Sequence, residues 1–129
     1  MIERSTTKKY KESAVDYLEL VVQGHIEEAY QKYVDLQGVH HNPFFLSGFP
    51  ALKQAMIENH AQFPHKKFIV KHVLGEEDLV VVHSNIVLKA DEPGMAVIHI
   101  FRFCENKIVE MWDIGQAVPA DSLNKDGAF

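Results

Sequence analysis

The hydrophobic pattern of this chain changes period at Pro64, and that change limits its architecture more than any other feature. Before Pro64, apolar side chains recur at spacings of three and four, which place them on one face of a helix. After it, β-branched residues alternate in short runs separated by turn residues, the pattern of strands. Helices followed by closely connected strands lead to an α+β fold, in which helices cover one face of an antiparallel sheet.

From Thr6 to Val22, Tyr10, Ala14, Tyr17, Leu18, Val21 and Val22 form one stripe, so a helix is expected there. Ser5 or Thr6 would cap it, and Gly24 would end it in a left-handed conformation. A second helix is expected from about Ile26 to Tyr33, with Glu27 and Glu28 in the first turn, where the helix dipole favours acids. The segment from Gly38 to Pro43 reads as a loop, because Pro43 disfavours helical geometry at Asn42. Pro50 suits the first turn of a third helix reaching about Phe63. Four strands follow at Phe68 to Leu74, Leu79 to Leu88, Ala96 to Phe103 and Lys107 to Ile114, with connections short enough for hairpins. At 129 residues, a single domain over positions 1–129 with one core suffices, and the polar tail 119–129 orders only if it docks.

Strand alternation puts Val97, His99, Phe101 and Phe103 on one face and Ile98, Ile100 and Arg102 on the other. On the last strand it separates Val109, Met111 and Asp113 from Ile108, Glu110, Trp112 and Ile114. With Asn106 left-handed in a three-residue loop, Phe103 faces Lys107, Phe101 faces Val109 and His99 faces Met111, leaving His99 and Asp113 diagonal neighbours. Both faces of this hairpin are apolar, so each needs a cover. The helices supply one. A second subunit against Ile98, Ile100, Trp112 and Ile114 supplies the other.

Thirteen basic and 18 acidic residues give a net charge of −5, which leaves no positive stripe for nucleic acid. No apolar run is long enough for a membrane span or signal peptide. A single cysteine, Cys104, allows no internal disulfide, and a reducing, cytoplasmic location is the simplest expectation.

The chain has eight histidines. His25, His60, His65 and His72 lie near element ends and receive no role. His40, His41, His83, His99 and Asp113 lie within apolar strands or beside an Asn-Pro turn, where a polar group must find a partner or bear a desolvation cost. The plain reading of His83 and His99 is a core or interface histidine bonded to a neighbour. The sharper reading is a pocket in which Asp113 is a general base, with His99 or His41 orienting a substrate oxygen or moving a proton. Tyr33, Asn42, Phe44, His83, Phe101 and Met111 are the candidate substrate contacts around it. Histidines with an aspartate also suit zinc, iron or manganese, yet no HxH, HxxxH or HExxH spacing occurs, so no metal is assigned. Ser47-Gly48 lacks a nucleophile elbow, and no phosphate-cradling loop appears.

The element order, the segment His40-His41-Asn42-Pro43, the strand Val97 to Phe103 and the Lys107 to Asp113 segment together resemble the SnoaL-like branch of the NTF2-like superfamily. Within it, the chain is most similar to the group described as SnoaL-like aldol-condensation-catalysing enzymes, over nearly its whole length. Asn106 stands where that pattern usually has Gly. The resemblance implies a cone-shaped barrel, with a curved sheet wrapping a long helix around an apolar cavity, and a homodimer through the outer sheet face. It also implies catalysis without metal or cofactor, by an aspartate acting on a carbon acid. That role carries over to Asp113, with His41 as a pocket residue.

Three functions follow from these residues. The first is an enzyme that removes a proton next to a carbonyl, as an aldol-type cyclase or isomerase does. The second is a non-catalytic module that binds a small apolar or carbonyl-containing molecule. The third, metal chemistry through His41, His83 or His99, has the weakest support.

Overall fold

In the computed structural model, which describes residues 1–129, the chain runs α1 (Arg4–Val22), α2 (Ile26–Tyr33), β1 (Val34–His40), α3 (Phe49–Gln62), β2 (Lys67–Glu76), β3 (Leu79–Val87), β4 (Met95–Cys104) and β5 (Lys107–Ala117). The fold is α+β: three helices and a curved five-stranded sheet in the order β1-β5-β4-β3-β2. No helix is long and apolar enough to cross a membrane.

The apolar stripe on α1 does what its spacing dictates. Tyr10, Ala14, Tyr17, Leu18, Val21 and Val22 are the buried residues of that helix. The first five pack on the concave face of the sheet against Val80, Val82, Phe101, Phe103, Ile108 and Met111 in one core cluster. Tyr10 stacks on Phe103 with centroids 4.4 Å apart, and Tyr17 meets Phe101 edge-on at 5.8 Å. Gly24 turns the chain between α1 and α2 at φ +91°, with the His60 ring packed where a Cβ would lie. The helix begins at Arg4, and neither Ser5 nor Thr6 caps it: Glu3 holds the N-cap position without a side-chain bond.

Residues Val34 to His40 correct the sequence reading most, because three of the residues expected in a loop extend a strand instead. β1 runs parallel to β5 at the sheet edge, and only Val34 and His40 are buried. An edge strand with five consecutive unburied positions carries little apolar alternation, so its pattern is faint. Gly38 lies where the β1–β5 register shifts. A Cβ there would sit 2.3 Å from the Val109 carbonyl oxygen, so the close approach of the two strands requires glycine.

The β4–β5 register also differs from expectation, through two one-residue changes. The turn contains two residues, Glu105 and Asn106, both at positive φ (49° and 70°), instead of three. The ladder then pairs Cys104 with Lys107 and Phe103 with Ile108, skips Val109 in a bulge, and resumes with Arg102 opposite Glu110. The bulge turns Ile108 to the buried face, where alternation alone had placed it outside. The two changes together restore the parity beyond it. Met111 and Asp113 stay on the face of Phe101 and His99, and His99 comes directly opposite Asp113 instead of diagonal to it.

The C-terminal tail docks through Phe129, whose ring lies 5.8 Å from His83 and beneath the Lys71 ammonium at 5.0 Å. It covers part of the outer face of β2 and β3.

Candidate functional site

The concave face is not filled to its end. A cavity of about 300 Å³ lies between the C-terminal half of α1, α3, the segment after β1 and the far ends of β3, β4 and β5. Its walls are mostly apolar, with Leu18, Val21 and Val22 from α1, Met56 from α3, and Ile86, Met95 and Val97 from the sheet. Five polar side chains reach it: Asn42, Asn59, Lys66, His99 and Asp113. An apolar space with a few convergent polar groups is the usual form of a small-molecule site. The wider groove of about 700 Å³ between α2 and β1 is different in kind. It is more open and is lined mostly by polar residues, and its cations are already engaged, Lys53 by Glu27 and Lys107 by the carbonyls of Gln31 and Lys32.

Asp113 is held by a chain of bonds that begins in β1. The Nδ1 of buried His40 accepts the Asn42 backbone N–H at 3.2 Å, so the ring proton is on Nε2, which donates to the Leu46 carbonyl at 2.7 Å. These bonds fold the segment after β1 over the edge of β5, where the His41 N–H also donates to the Met111 carbonyl at 2.9 Å. Asn42 is oriented as a result. Its Oδ1 accepts the Phe44 N–H at 2.9 Å and its Nδ2 donates to Asp113 Oδ2 at 2.7 Å. The carboxylate is thus fixed at the cavity wall by an amide that is itself fixed.

His99 faces Asp113 across the strand pair and lies nearly parallel to the Phe101 ring, with centroids 5.9 Å apart. It is buried, and its Nδ1 has no partner. Burial pushes its pKa down to about 4, against a smaller upward pull from the Asp113 charge. The imidazole is therefore neutral at pH 7. In the core, Tyr17 donates its hydroxyl to that of Tyr30 at 3.1 Å. Burial pushes Tyr30 up to about 12 and Tyr17 well above its ordinary value, and the Asp113 charge raises both.

A pH dependence of stability follows from His99. The folded state leaves it unprotonated down to about pH 4, whereas the unfolded chain binds that proton near pH 6.5. Between those values the unfolded state holds more protons, so stability falls as pH falls, by at most about 3 kcal/mol. Urea unfolding of the wild type and His99→Phe between pH 7 and pH 4 checks this. The variant is expected to have a shallower acid slope, and an unchanged slope would assign the acid sensitivity to other groups.

Of the expected site residues, Asp113, His99, Asn42 and Phe44 line the cavity, Phe44 as an 88% exposed side chain at its mouth. Phe101 and Met111 are buried in the core and do not reach the cavity. Three more lie elsewhere. His41 is on the outer face, stacked on Trp112 at 5.1 Å and bonded to Glu110 at 2.7 Å, because β1 extends to His40 and alternation turns the next residue outward. His83 is also outside, stacked on His72 with their Nδ1 atoms 3.0 Å apart, since Val82 and Ser84 take the inward positions of β3. Tyr33 ends α2 with its hydroxyl bonded to Asp16 on α1. No three His, Cys, Asp or Glu side chains converge as a metal site.

Sequence reasoning missed Lys66, Asn59 and the Tyr17–Tyr30 pair, and it gave His40 no role. His40 had been singled out as one of two adjacent histidines, and an inward-facing strand end would have identified which of them points in. Lys66 gave no signal, because a lysine beside Lys67 at a strand start reads as surface.

No family model matches the sequence, and no curated protein matches it. Solved structures do match. A SnoaL-like protein of unknown function from Burkholderia thailandensis superposes with a TM-score of 0.70 at 13% identity, covering 90% of this chain and 98% of the other. An NTF2-like protein of unknown function from Cytophaga hutchinsonii gives 0.68 at 10% identity, with 90% and 92% covered. A protein from Acidithiobacillus ferrooxidans, provisionally named a polyketide cyclase, gives 0.67 at 19% identity, with 84% and 88% covered. The helix order and the curved sheet thus recur in proteins of very different sequence, and the chain has the SnoaL-like, NTF2-like fold.

Proposed function

We propose that this chain is a cofactor-independent enzyme that removes a proton from carbon next to a carbonyl group, as aldol-type cyclases and isomerases do. The observation that carries this reading is a carboxylate fixed by Asn42 at the wall of an apolar cavity, directly across the strand pair from a neutral, buried imidazole. Asp113 is the base. A neutral His99 donates a hydrogen bond to the carbonyl oxygen as it gains enolate charge, in surroundings poor in competing water. Asn42 holds the carboxylate and is a positioning residue.

The test uses 2-tetralone, a bicyclic carbon acid small enough for the cavity. Incubated with the protein in D₂O, it is expected to gain deuterium at its α-carbons faster than in buffer, as read by proton NMR. The mostly apolar wall also suits a non-catalytic binder. In that case the ketone would raise the unfolding temperature and acquire no deuterium above the buffer rate.

The active form is a homodimer built on the outer face of β4 and β5. The tail covers β2 and β3 through Phe129, whereas Ile114 remains 62% exposed beside Trp112, Ile98 and Ile100. Sedimentation equilibrium at micromolar concentration is expected to give twice the 14.7 kDa chain mass. A monomer mass at those concentrations rules this assembly out.

A further inference from the structure

Lys66 is the one cationic side chain that lines the cavity, and Asp113 the one anionic side chain. Their elements are separated in the sheet, since Lys66 immediately precedes β2 and Asp113 is on β5, with β3 and β4 between them. The Lys66 ammonium is half-buried and forms no ion pair: its protein partner is Asn59 Oδ1, at 2.5 Å. An ammonium has three donors, so two remain for other acceptors. The Nδ2 of Asn59 has no acceptor within the chain and adds another donor on the same side of the cavity. The whole chain carries a net charge of −5, so its general field does not draw anions. Attraction at this point has to come from these two side chains.

A half-buried ammonium without a counter-charge bears a desolvation cost that an anionic ligand group would relieve. Burial indeed pulls the Lys66 pKa below its ordinary value, and an anion at the ammonium would restore it.

We infer that Lys66 and Asn59 form an anion-recognising subsite at the rim of the Asp113 cavity, and that the ligand carries a carboxylate in addition to its apolar body. Resting on the function proposed above, this narrows the substrate class to a keto acid. Its carboxylate lies on Lys66, its apolar body runs between Leu18, Val21, Met56 and Val97, and its acidic carbon reaches Asp113. The subsite sets orientation and selectivity, while the chemistry stays at the other end of the cavity.

Naphthalene-2-carboxylate and naphthalene-2-carboxamide share one shape and differ in charge, and neither has an acidic carbon that could react. Their affinities at pH 7, measured by calorimetry, are expected to favour the carboxylate by at least tenfold in the wild type. Lys66→Arg should keep that preference, and Lys66→Met should abolish it while leaving the carboxamide affinity within about threefold. Equal affinities in the wild type, a preference that survives in Lys66→Met, or binding of neither compound would overturn the subsite. Because the readout is binding without turnover, it is independent of the deuterium test. Absent exchange on 2-tetralone removes the general base and leaves the anion preference standing, and the reverse result removes the subsite alone.

Discussion

Replacing Phe101 by alanine is expected to lower the unfolding free energy by about 3–5 kcal/mol, the range for removing a fully buried aromatic ring from a packed core. Phe101 has no exposed surface. Its ring is contacted edge-on by Tyr17, flanked in parallel by His99, and followed along the strand by Phe103 at 6.4 Å. Those neighbours come from α1 and β4, so the vacated space cannot close without moving the long helix relative to the sheet. A domain of this size has a total stability of about 5–15 kcal/mol, and the loss would be visible as a large fall in urea midpoint. The effect should extend to the site, because His99 loses the ring that backs it. A change below about 1 kcal/mol in equilibrium urea unfolding would show that Phe101 is not at the centre of the core.

Much of this framework was legible in the sequence because it rests on strong periodic burial. The six apolar positions of α1 are its buried residues, and β4 buries Val97, His99, Phe101 and Phe103 as alternation requires. Where burial is weak, legibility fails. β1 keeps Asp35, Leu36, Gln37 and Val39 exposed, so its alternation is faint, yet it carries the His40–Asn42 arrangement that holds Asp113. The Val109 bulge is likewise silent, since an inserted residue leaves no mark in a run of apolar side chains.

The site was legible in part for the same reasons. His99 and Asp113 could be assigned to one face from parity, and the structure brings them closer than the expected register did. His41 and His83 were drawn into the site by their residue type, whereas their strand positions turn them to the outer face. Lys66 is brought to the cavity by the end of α3 and the start of β2, a long-range placement that no local pattern carries.

Asp113→Asn is expected to have the largest functional effect. The substitution preserves shape, and the new amide oxygen can still accept the Asn42 Nδ2 hydrogen bond now made by Asp113 Oδ2. The fold should therefore persist, with an unfolding midpoint close to that of the wild type. What is lost is the basic oxygen, since an amide does not take up a proton near neutral pH. A positioned general base typically contributes 10²- to 10⁴-fold in rate, so turnover should fall by about that factor. His99→Phe should cost less, because it removes one hydrogen bond to developing charge and leaves the base in place.

Whether Asp113 is the base in this cavity is decided by the rate of deuterium entry into 2-tetralone in D₂O, measured side by side for the wild type and for folded Asp113→Asn. The expected result is incorporation well above the buffer rate with the wild type and a fall of at least a hundredfold in the variant. Equal incorporation by the two proteins would contradict it.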